Sequence, residues 1–313
     1  MSELRNRADD SAAITCLLPG GYRDPAGGLH RQVILRPITG RDEELLADRL
    51  ATNSIPALVT GLLASCVCRL GSFEPVTPEI MRQLLVADRD YLLLQLRQLT
   101  FGSRVLAVLI CPMCGQKMDM DFALEQVPVT VRTPPAPGER FELSAPAAYL
   151  DAAGNAQRLV EIRLPTAEDQ ERLASHSDLS EAQAVTWLLA RCLLRVGDIT
   201  PVSEAVAAAL STVARREIEE RMESLAPQVE WDMDVACPNC GETFAHSFDF
   251  PPFFLAEVKL GREQLYREVH YLALHYHWPE SEILAFTRAK RRTYLDLLRA
   301  ELQRGGAGLE MER

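Results

Sequence analysis

The sequence predicts an α+β protein built from a tandem duplication with a C-terminal helical extension. Two observations carry this prediction. The segment from Tyr22 to Gly27 (YRDPAG) recurs from Tyr149 to Gly154 (YLDAAG), and the segment from Arg36 to Glu44 recurs from Arg163 to Glu171, both at one offset of 127 residues. Matches in the same order at a constant offset favour a duplicated unit, and two copies are too few for a solenoid.

Length and composition bound the class of protein. A chain of 313 residues that is 47% hydrophobic can bury a substantial core and has room for about two domain-sized units. The formal net charge of −11 argues against a sequence-independent nucleic-acid binder, which would use Lys and Arg to neutralise phosphates. Residues 1–13 are polar at the start and precede no apolar export signal, and no stretch is apolar enough to span a membrane, so we expect a cytoplasmic protein.

Each copy is predicted to begin with a β-hairpin. Asp24 to Gly27 and Asp151 to Gly154 have the composition of turns. The β-branched run from Val33 to Leu35 and its counterpart from Leu159 to Leu164 are the expected returning strands.

Helices follow the hairpin in each copy. Thr39 and Thr166 are placed to cap a helix, and the acidic side chains after them, such as Asp42 and Asp169, suit the positive end of the helix dipole. An apolar helical face is expected next in each copy. In the first copy it comprises Leu58, Leu62, Leu63, Cys66 and Leu70, and in the second it lies near residues 188–196. Pro78 after Thr77 indicates the start of a further helix in the first copy.

Each copy is predicted to end in a strand, a Cys-x-x-Cys turn and a second strand. The strands flanking the two turns are predicted at 105–110 and 118–122 in the first copy and at 229–236 and 244–250 in the second. After residue 252 the pattern becomes helical, with helices expected at 255–278, 280–286 and 288–303.

These patterns divide the chain into six predicted parts. They are a disordered N-terminus (1–13), a first repeat unit (14–128), a proline-rich linker (129–140), a second repeat unit (141–252), C-terminal helices (253–304) and a flexible tail (305–313).

Cys111, Cys114, Cys237 and Cys240 are the candidate metal ligands. They form the motifs Cys-Pro-Met-Cys-Gly and Cys-Pro-Asn-Cys-Gly at equivalent positions of the two copies. Because zinc takes four ligands at tetrahedral corners, the simplest geometry brings both turns together across a pseudo-twofold axis as one four-cysteine zinc ribbon. Four thiolates leave no position for water, so the single zinc ion is expected to be structural.

Two other interpretations of these cysteines stay open. They are reduced thiols in tight turns, or the redox pair of a thiol-disulfide oxidoreductase. The second is disfavoured because a thioredoxin-like motif lies between a strand and a helix, whereas both turns here lie between predicted strands. A zinc ribbon that handles nucleic acid is a further alternative, although the acidic residues Asp119, Asp121 and Asp232 lie near the turns.

Other chemically interesting residues have plainer interpretations. Cys66 and Cys192 lie on apolar helical faces and are expected in the core, while Cys16 and Cys68 have no informative spacing. The cluster of His270, His275 and His277 is interpreted as aromatic packing. A basic cluster of Arg288, Lys290, Arg291 and Arg292 is interpreted as a solvated helix face, because residues 255–313 carry nearly balanced charges.

The sequence contains no phosphate-binding loop, His-Glu-x-x-His motif or Gly-x-Ser-x-Gly motif. A non-enzymatic protein is therefore expected, with no catalytic residues and no small-molecule substrate.

Three stretches of the chain resemble a known family, the phage baseplate assembly proteins of the T-even type, which also occur in the gene clusters of phage-tail-like contractile injection systems. They lie at residues 35–44, at 86–102 leading into the first cysteine turn, and at 274–295. The likeness covers the first copy and the C-terminal helices, and the second copy looks like a degenerate twin of the first.

The resemblance implies a role in building a baseplate or hub, as an assembly chaperone or a minor structural component. The implied partners are other baseplate or hub proteins. It transfers no functional residues to this chain.

Overall fold

The computed structural model describes residues 13–50, 52–135, 138–151 and 153–310, and it has a mixed α+β architecture with small sheets. Most of the predicted disordered N-terminus and residues 136–137 of the predicted linker lie outside the described residues.

The first part of the chain forms two strands, two helices, a third strand, two further helices and a hairpin. These elements and a short final strand are β1 (Ile14–Arg23), β2 (Leu29–Leu35), α1 (Gly40–Arg49), α2 (Ile55–Cys66), β3 (Val67–Leu70), α3 (Pro78–Gln83), α4 (Val86–Phe101), β4 (Arg104–Ile110), β5 (Lys117–Ala123) and β6 (Val129–Thr130).

The second part has the same order of helices and hairpins, with a more fragmented first strand. Its elements are β7 (Glu139–Glu142), β8 (Tyr149–Leu150), β9 (Ala156–Gln157), β10 (Leu159–Ile162), α5 (Ala167–Ala174), α6 (Glu181–Cys192), β11 (Leu193–Val196), α7 (Glu204–Ala209), α8 (Thr212–Leu225), β12 (Gln228–Val229), β13 (Asp232–Ala236) and β14 (Thr243–Ser247).

The remaining part is helical. It comprises α9 (Phe250–Leu260), α10 (Arg262–Tyr276), α11 (Glu280–Ile283) and α12 (Arg288–Glu310). The single helix expected at 255–278 is divided at Gly261 into α9 and α10. The helical region begins at Phe250, before the expected start, because Pro251 and Pro252 are tolerated in the first turn of a helix, where the backbone N–H groups have no partner within the helix. The backbone of α12 continues to Glu310, beyond the expected end of the C-terminal helices at residue 304.

Two three-stranded antiparallel sheets, β1–β2–β3 and β11–β10–β7, organise the two units. One expectation is wrong here. Leu70 does not continue the apolar face of a helix, because α2 ends at Cys66 and the chain then pairs as β3, with Leu70 opposite Val33. The second unit changes at the same place, since α6 ends at Cys192 and β11 follows. As part of β3, Val67 and Leu70 are 3% and 0% exposed, so packing of the sheet on the core overrides the local helical periodicity.

An arginine and an aspartate link the returning strand to the next helix in both units. Arg36 donates to the carboxylate of Asp42 at 2.7 Å, and Arg163 donates to Asp169 at 2.6 Å. Each carboxylate also accepts the backbone N–H of the threonine before the helix at 2.9 Å. We call each arrangement an Arg–Asp clamp, and it satisfies an N–H that the helix itself leaves unpaired.

The parts of the chain contact each other through short backbone links. Val129, the first residue of the predicted linker, pairs with Val229 near the end of the second predicted unit. The predicted linker thus includes strand β6 and the first two residues of β7. Cys237, Phe248, Phe250 and Phe254 belong to the same hydrophobic core as the first unit, so the second hairpin and α9 pack onto that unit.

Candidate metal centre

The two Cys-x-x-Cys turns join the strands of two hairpins and face each other. The first turn connects β4 to β5 and the second connects β13 to β14. The Sγ atoms of Cys111 and Cys240 are 3.8 Å apart, as are those of Cys114 and Cys237. All four Sγ atoms lie within 4.8 Å of one another. The structure therefore brings together the four cysteines predicted as ligands.

The two turns have one backbone geometry. Cys111 donates its N–H to Gln116 and Gly115 donates to Cys111, both at 2.9 Å. In the second turn Cys237 pairs with Glu242, and Gly241 with Cys237, at the same distances. The glycines have φ values of 71° and 76°, in the left-handed region that disfavours a side chain.

Backbone N–H groups point at the sulfur atoms and change their acidity. The pKa of Cys114 falls to about 6 because the backbone N–H of Gln116 and the side chain of Asn239 donate to its sulfur. The pKa of Cys237 is lowered by the backbone N–H groups of Cys240 and Asn239. The pKa of Cys240 instead rises to about 12. The N–H of Glu242 lowers it, but burial and the neighbouring thiols outweigh that contribution. Four adjacent thiolates repel each other, so a cation at their centre would stabilise the fully deprotonated set.

The spacing of the sulfur atoms fits a metal ion. With a metal–sulfur bond of about 2.3 Å, the edges of a tetrahedron of thiolates are about 3.8 Å long. The two contacts between the turns match that edge length, and the remaining sulfur atoms are within 4.8 Å. The cluster is compatible with a metal site in which the four cysteines occupy every position.

The cluster is anchored in the core on one side and open to solvent on the other. Cys111 and Cys237 are 1% and 2% exposed, whereas Cys240 lies at the surface. Behind the cysteines, Phe122 of the first hairpin contacts Phe248, which follows the second hairpin, edge-on at 5.5 Å between ring centroids. A bound ion would therefore tie together two hairpins that are far apart in sequence.

No second group of metal-ligating residues occurs among the described parts of the chain. None of His270, His275 and His277 belongs to a metal-ligating group, and of the three His270 has a ring contact, edge-on to its neighbour Tyr271. Cys66 and Cys192 are fully buried in the core, as predicted, and burial raises the pKa of each thiol.

The interpretation of the basic cluster on α12 is wrong for Arg291. This side chain is 1% exposed and donates to Glu43 at 2.7 Å and to Glu268 at 2.8 Å. Two carboxylates from α1 and α10 compensate its burial, whereas Arg292 next to it is exposed. Charge counting over the segment did not reveal this contact because the acidic partner Glu43 lies 248 residues away.

Sequence reasoning missed an exposed apolar strip beside the cysteine cluster. Leu106, Val108, Ile110 and Met113 are 63–69% exposed, and the first three alternate along β4. The signal was present, because the run from Val105 to Ile110 is apolar at every position, while a two-stranded hairpin can turn only one face to the core. Apolar residues at helical spacing in the C-terminal helices are mostly buried, namely Val258, Leu265, Leu272, Leu295 and Leu298, whereas Tyr266 and Leu302 are 37% and 55% exposed.

Acidic side chains lie across from this strip. Val108 pairs with Asp119 and Leu106 pairs with Asp121 in the β4–β5 hairpin. Lys117 lies opposite Ile110 on the same face, and Arg104 pairs with Asp121 there, so acidic and basic side chains balance beside the strip. This face lacks the excess of positive charge that phosphate binding uses. In the part of the chain that the structure describes, no helix is long and apolar enough to cross a membrane.

The chain was compared with known proteins. No curated protein and no solved structure matches it. The family model described as T4 bacteriophage base plate protein matches residues 13–255, which is most of the chain. The match runs through the second unit and stops near the start of the C-terminal helices, so the likeness is not confined to the first copy and does not include the last helices. The chain belongs to the T4 bacteriophage base plate protein family.

Proposed function

We propose that this chain is a non-enzymatic structural or assembly protein of the baseplate or hub of a phage tail or contractile injection system. The family match over residues 13–255 carries the proposal. It acts in the cytoplasm before or during particle assembly, as an assembly chaperone or as a minor component, and its partners are other baseplate or hub proteins.

One zinc ion holds the two hairpins together in this proposal. Zinc suits four soft thiolates in a closed tetrahedral site, and such a site activates no water, so its role is structural. Binding of zinc would stabilise the fold by on the order of 10 kcal/mol, as it does in small zinc-dependent domains.

The two units arose by duplication and share the ion across a pseudo-twofold axis. Equivalent local geometry supports this proposal. Both cysteine turns have the same backbone hydrogen bonds, and in both Arg–Asp clamps the arginine and the threonine N–H donate to the aspartate.

A protein partner covers the apolar strip on β4. Exposed apolar side chains in a contiguous row mark protein-binding surfaces. Leu106, Val108 and Ile110 form such a row next to the metal-binding turns, so the ion fixes the strand that presents them.

A thiol-disulfide exchange function is the second candidate, because the pKa of Cys114 is lowered to about 6. It is less favoured. Exchange needs one reactive pair, whereas here four thiols converge and the cross-turn sulfur contacts are 3.8 Å. Reduction of a protein disulfide by the metal-free chain at a catalytic rate would favour this candidate.

Deleting the gene from its own cluster and imaging the particles tests the proposed function. We expect tails or sheaths without a complete baseplate, rescued by the parent chain and by Arg292→Met, but not by Val108→Asp. Mass spectrometry of rescued particles then distinguishes a retained component from a chaperone that leaves. Normal particles without the gene would contradict the proposal.

A further inference from the structure

Two helix N-termini of this chain dock in the same way on the junction between two other helices. Thr166, before α5, forms a bridge with Leu85 at the α3–α4 junction, and the N–H of Ala167 donates to the carbonyl of Leu84 at 2.9 Å. At the other end of the chain, Thr39 forms a bridge with Thr287 at the α11–α12 junction. There the N–H of Gly40 donates to the carbonyl of Phe286 at 3.2 Å.

A buried arginine holds the docked helix at both junctions. Arg89 lies four residues after the bridging Leu85 and donates to Gln170 at 3.1 Å. Arg291 lies four residues after the bridging Thr287 and donates to Glu43 at 2.7 Å. Gln170 and Glu43 occupy the same position of their helices, four residues after the capping threonine. One recognition geometry is thus used twice.

A third junction of the same kind lies between α7 and α8. Leu210, Ser211 and Arg215 occupy the positions of Leu84, Leu85 and Arg89. Arg215 does not contact a docked helix, since its guanidinium donates to the hydroxyl of Thr186 at 3.0 Å and to the carbonyl of Ala207 at 2.9 Å.

The residue of the first unit that corresponds to Thr186 contacts a docked helix, and the third junction lacks this contact. In the first unit that position is Thr60, whose hydroxyl donates to Glu171 of the docked helix α5. Thr186 instead donates its hydroxyl to the carbonyl of Ala182 and accepts a bond from Arg215. The third junction therefore has the donors that bind a helix start at the first, but uses them within its own unit.

Apolar side chains at the third junction are more exposed than their counterparts, of which Val59 is buried and Ala87 is half-buried. Val185 is 43% exposed, whereas its counterpart Val59 is 1% exposed and lines a cavity with Gln170. Val213 is 39% exposed, whereas its counterpart Ala87 lies beside Leu164, which leads into α5.

We propose that the α7–α8 face, formed by Val185, Thr186, Ser211, Val213 and Arg215, receives the N-terminus of a helix from another baseplate protein. That helix has a capping Ser, Thr or Asp and a carboxylate or amide four residues later. Its first free N–H donates to the carbonyl of Leu210, which has no backbone partner within the described ranges, and its side chain pairs with Arg215.

The occupant is a different protein and not a second copy. Among the residues that the structure describes, the helix starts with this capping residue and a carboxylate or amide four residues later are those of α1 and α5, and both are docked inside the chain. The identity of the partner as a baseplate protein rests on the proposed function, whereas the geometry of the face does not.

Site-specific photo-crosslinking tests this proposal. The full chain, with a photo-reactive residue at position 213 or, as a control, at the exposed position 150, is assembled with the other baseplate proteins of its gene cluster. The residue at position 213 is expected to crosslink to a partner protein, within the first two turns of a helix that carries an acidic or amide side chain. The residue at position 150 is expected to give no such crosslink. A crosslink to a second copy of this chain, or to a segment that does not start a helix, overturns the proposal.

A second test measures how charge-reversing substitutions change the affinity for that partner. Arg215→Glu is expected to weaken binding of that partner at least tenfold, and Arg216→Glu, at an exposed neighbouring position, to leave it within twofold. Val213→Asp is a second variant that keeps the internal bonds of Arg215, and circular dichroism verifies that each variant folds. If the parent chain joins no baseplate complex, the proposed function fails. If the parent and both variants bind equally, this inference alone fails.

Discussion

Arg163 and Asp169 are 2.6 Å apart across the corner between β10 and α5, and the aspartate side chain is 1% exposed. The same carboxylate accepts a bond from Arg191 at 2.7 Å, so two guanidinium groups neutralise one buried charge. Six residues separate the members of this clamp, and they also separate Arg36 from Asp42. The clamp ties the end of each returning strand to the first turn of the next helix, and that helix start is the one that docks on another junction.

Asp169→Asn should lower the free energy of unfolding by about 3 kcal/mol, because it leaves the two arginines without their buried counter-charge. Chemical denaturation of the full chain measures this loss. Glu168→Gln is the matched control, since Glu168 pairs with Arg172 on the exposed surface and should change stability by less than ~1 kcal/mol. Equal effects of the two substitutions would show that the clamp does not stabilise the fold.

The stability difference between the parent and Asp169→Asn should depend on pH. Burial raises the pKa of Asp169, but hydrogen bonds from Arg163, Thr166 and Arg191 lower it well below its usual range. The native state therefore binds fewer protons than the unfolded state near pH 4, and the stabilisation is complete above about pH 5. It is lost as the pH falls through 4 and below. Thermal unfolding of both proteins from pH 6 to pH 3 should show their melting temperatures converging in acid; a constant gap would contradict this account.

Arg291→Met should detach the C-terminal helices from the first unit. The substitution leaves Glu43 and Glu268 buried without a positive partner, which costs about 3–5 kcal/mol for a buried pair. Hydrogen exchange should show faster exchange in α10 and α12, and Arg292→Met, at an exposed position, should leave exchange unchanged. If exchange in α10 and α12 is as slow in Arg291→Met as in Arg292→Met, the buried ion pairs do not hold these helices against the first unit.

Gly115→Ala should weaken metal binding through the backbone alone. Gly115 has φ 71° and open space where a Cβ would lie, so the cost is the left-handed conformation itself, about 1–2 kcal/mol. Chelator competition should give an affinity about 5- to 30-fold lower. Gly115→Asn should recover part of the loss, since Asn tolerates this conformation better. Identical affinities for alanine and glycine would mean that the turn bears the same strain with and without metal, which contradicts a left-handed conformation imposed by metal binding.

The sequence predicted the features that depend on local chemistry or on repetition. The four cysteines that converge were identified from motif spacing, and the hairpin turns and helix starts at Thr39 and Thr166 were identified from capping chemistry. Each of these features depends on a few neighbouring residues and occurs in both copies, so a single sequence is enough to predict it.

Features that depend on distant contacts were not predictable. Leu70 has helical spacing but pairs with Val33, and Arg291 lies in a basic run but is buried between Glu43 and Glu268. Both residues are placed by interactions with residues far away in sequence, so no local sequence pattern predicts either placement. The run from Val105 to Ile110 signalled two apolar faces, but apolar character alone does not say which face packs on the core and which, as at Leu106, is exposed.

Metal content per chain tests the central claim most directly. The full chain is purified without added metal, and zinc is measured together with native mass, alongside Cys111→Ser and the core control Cys66→Ser. We predict one zinc per parent chain, loss of zinc in Cys111→Ser, and retention of zinc in Cys66→Ser even if its core is destabilised. Two zinc ions per chain would mean that each turn recruits other ligands, and a metal-free parent chain that is stably folded would contradict the shared structural site.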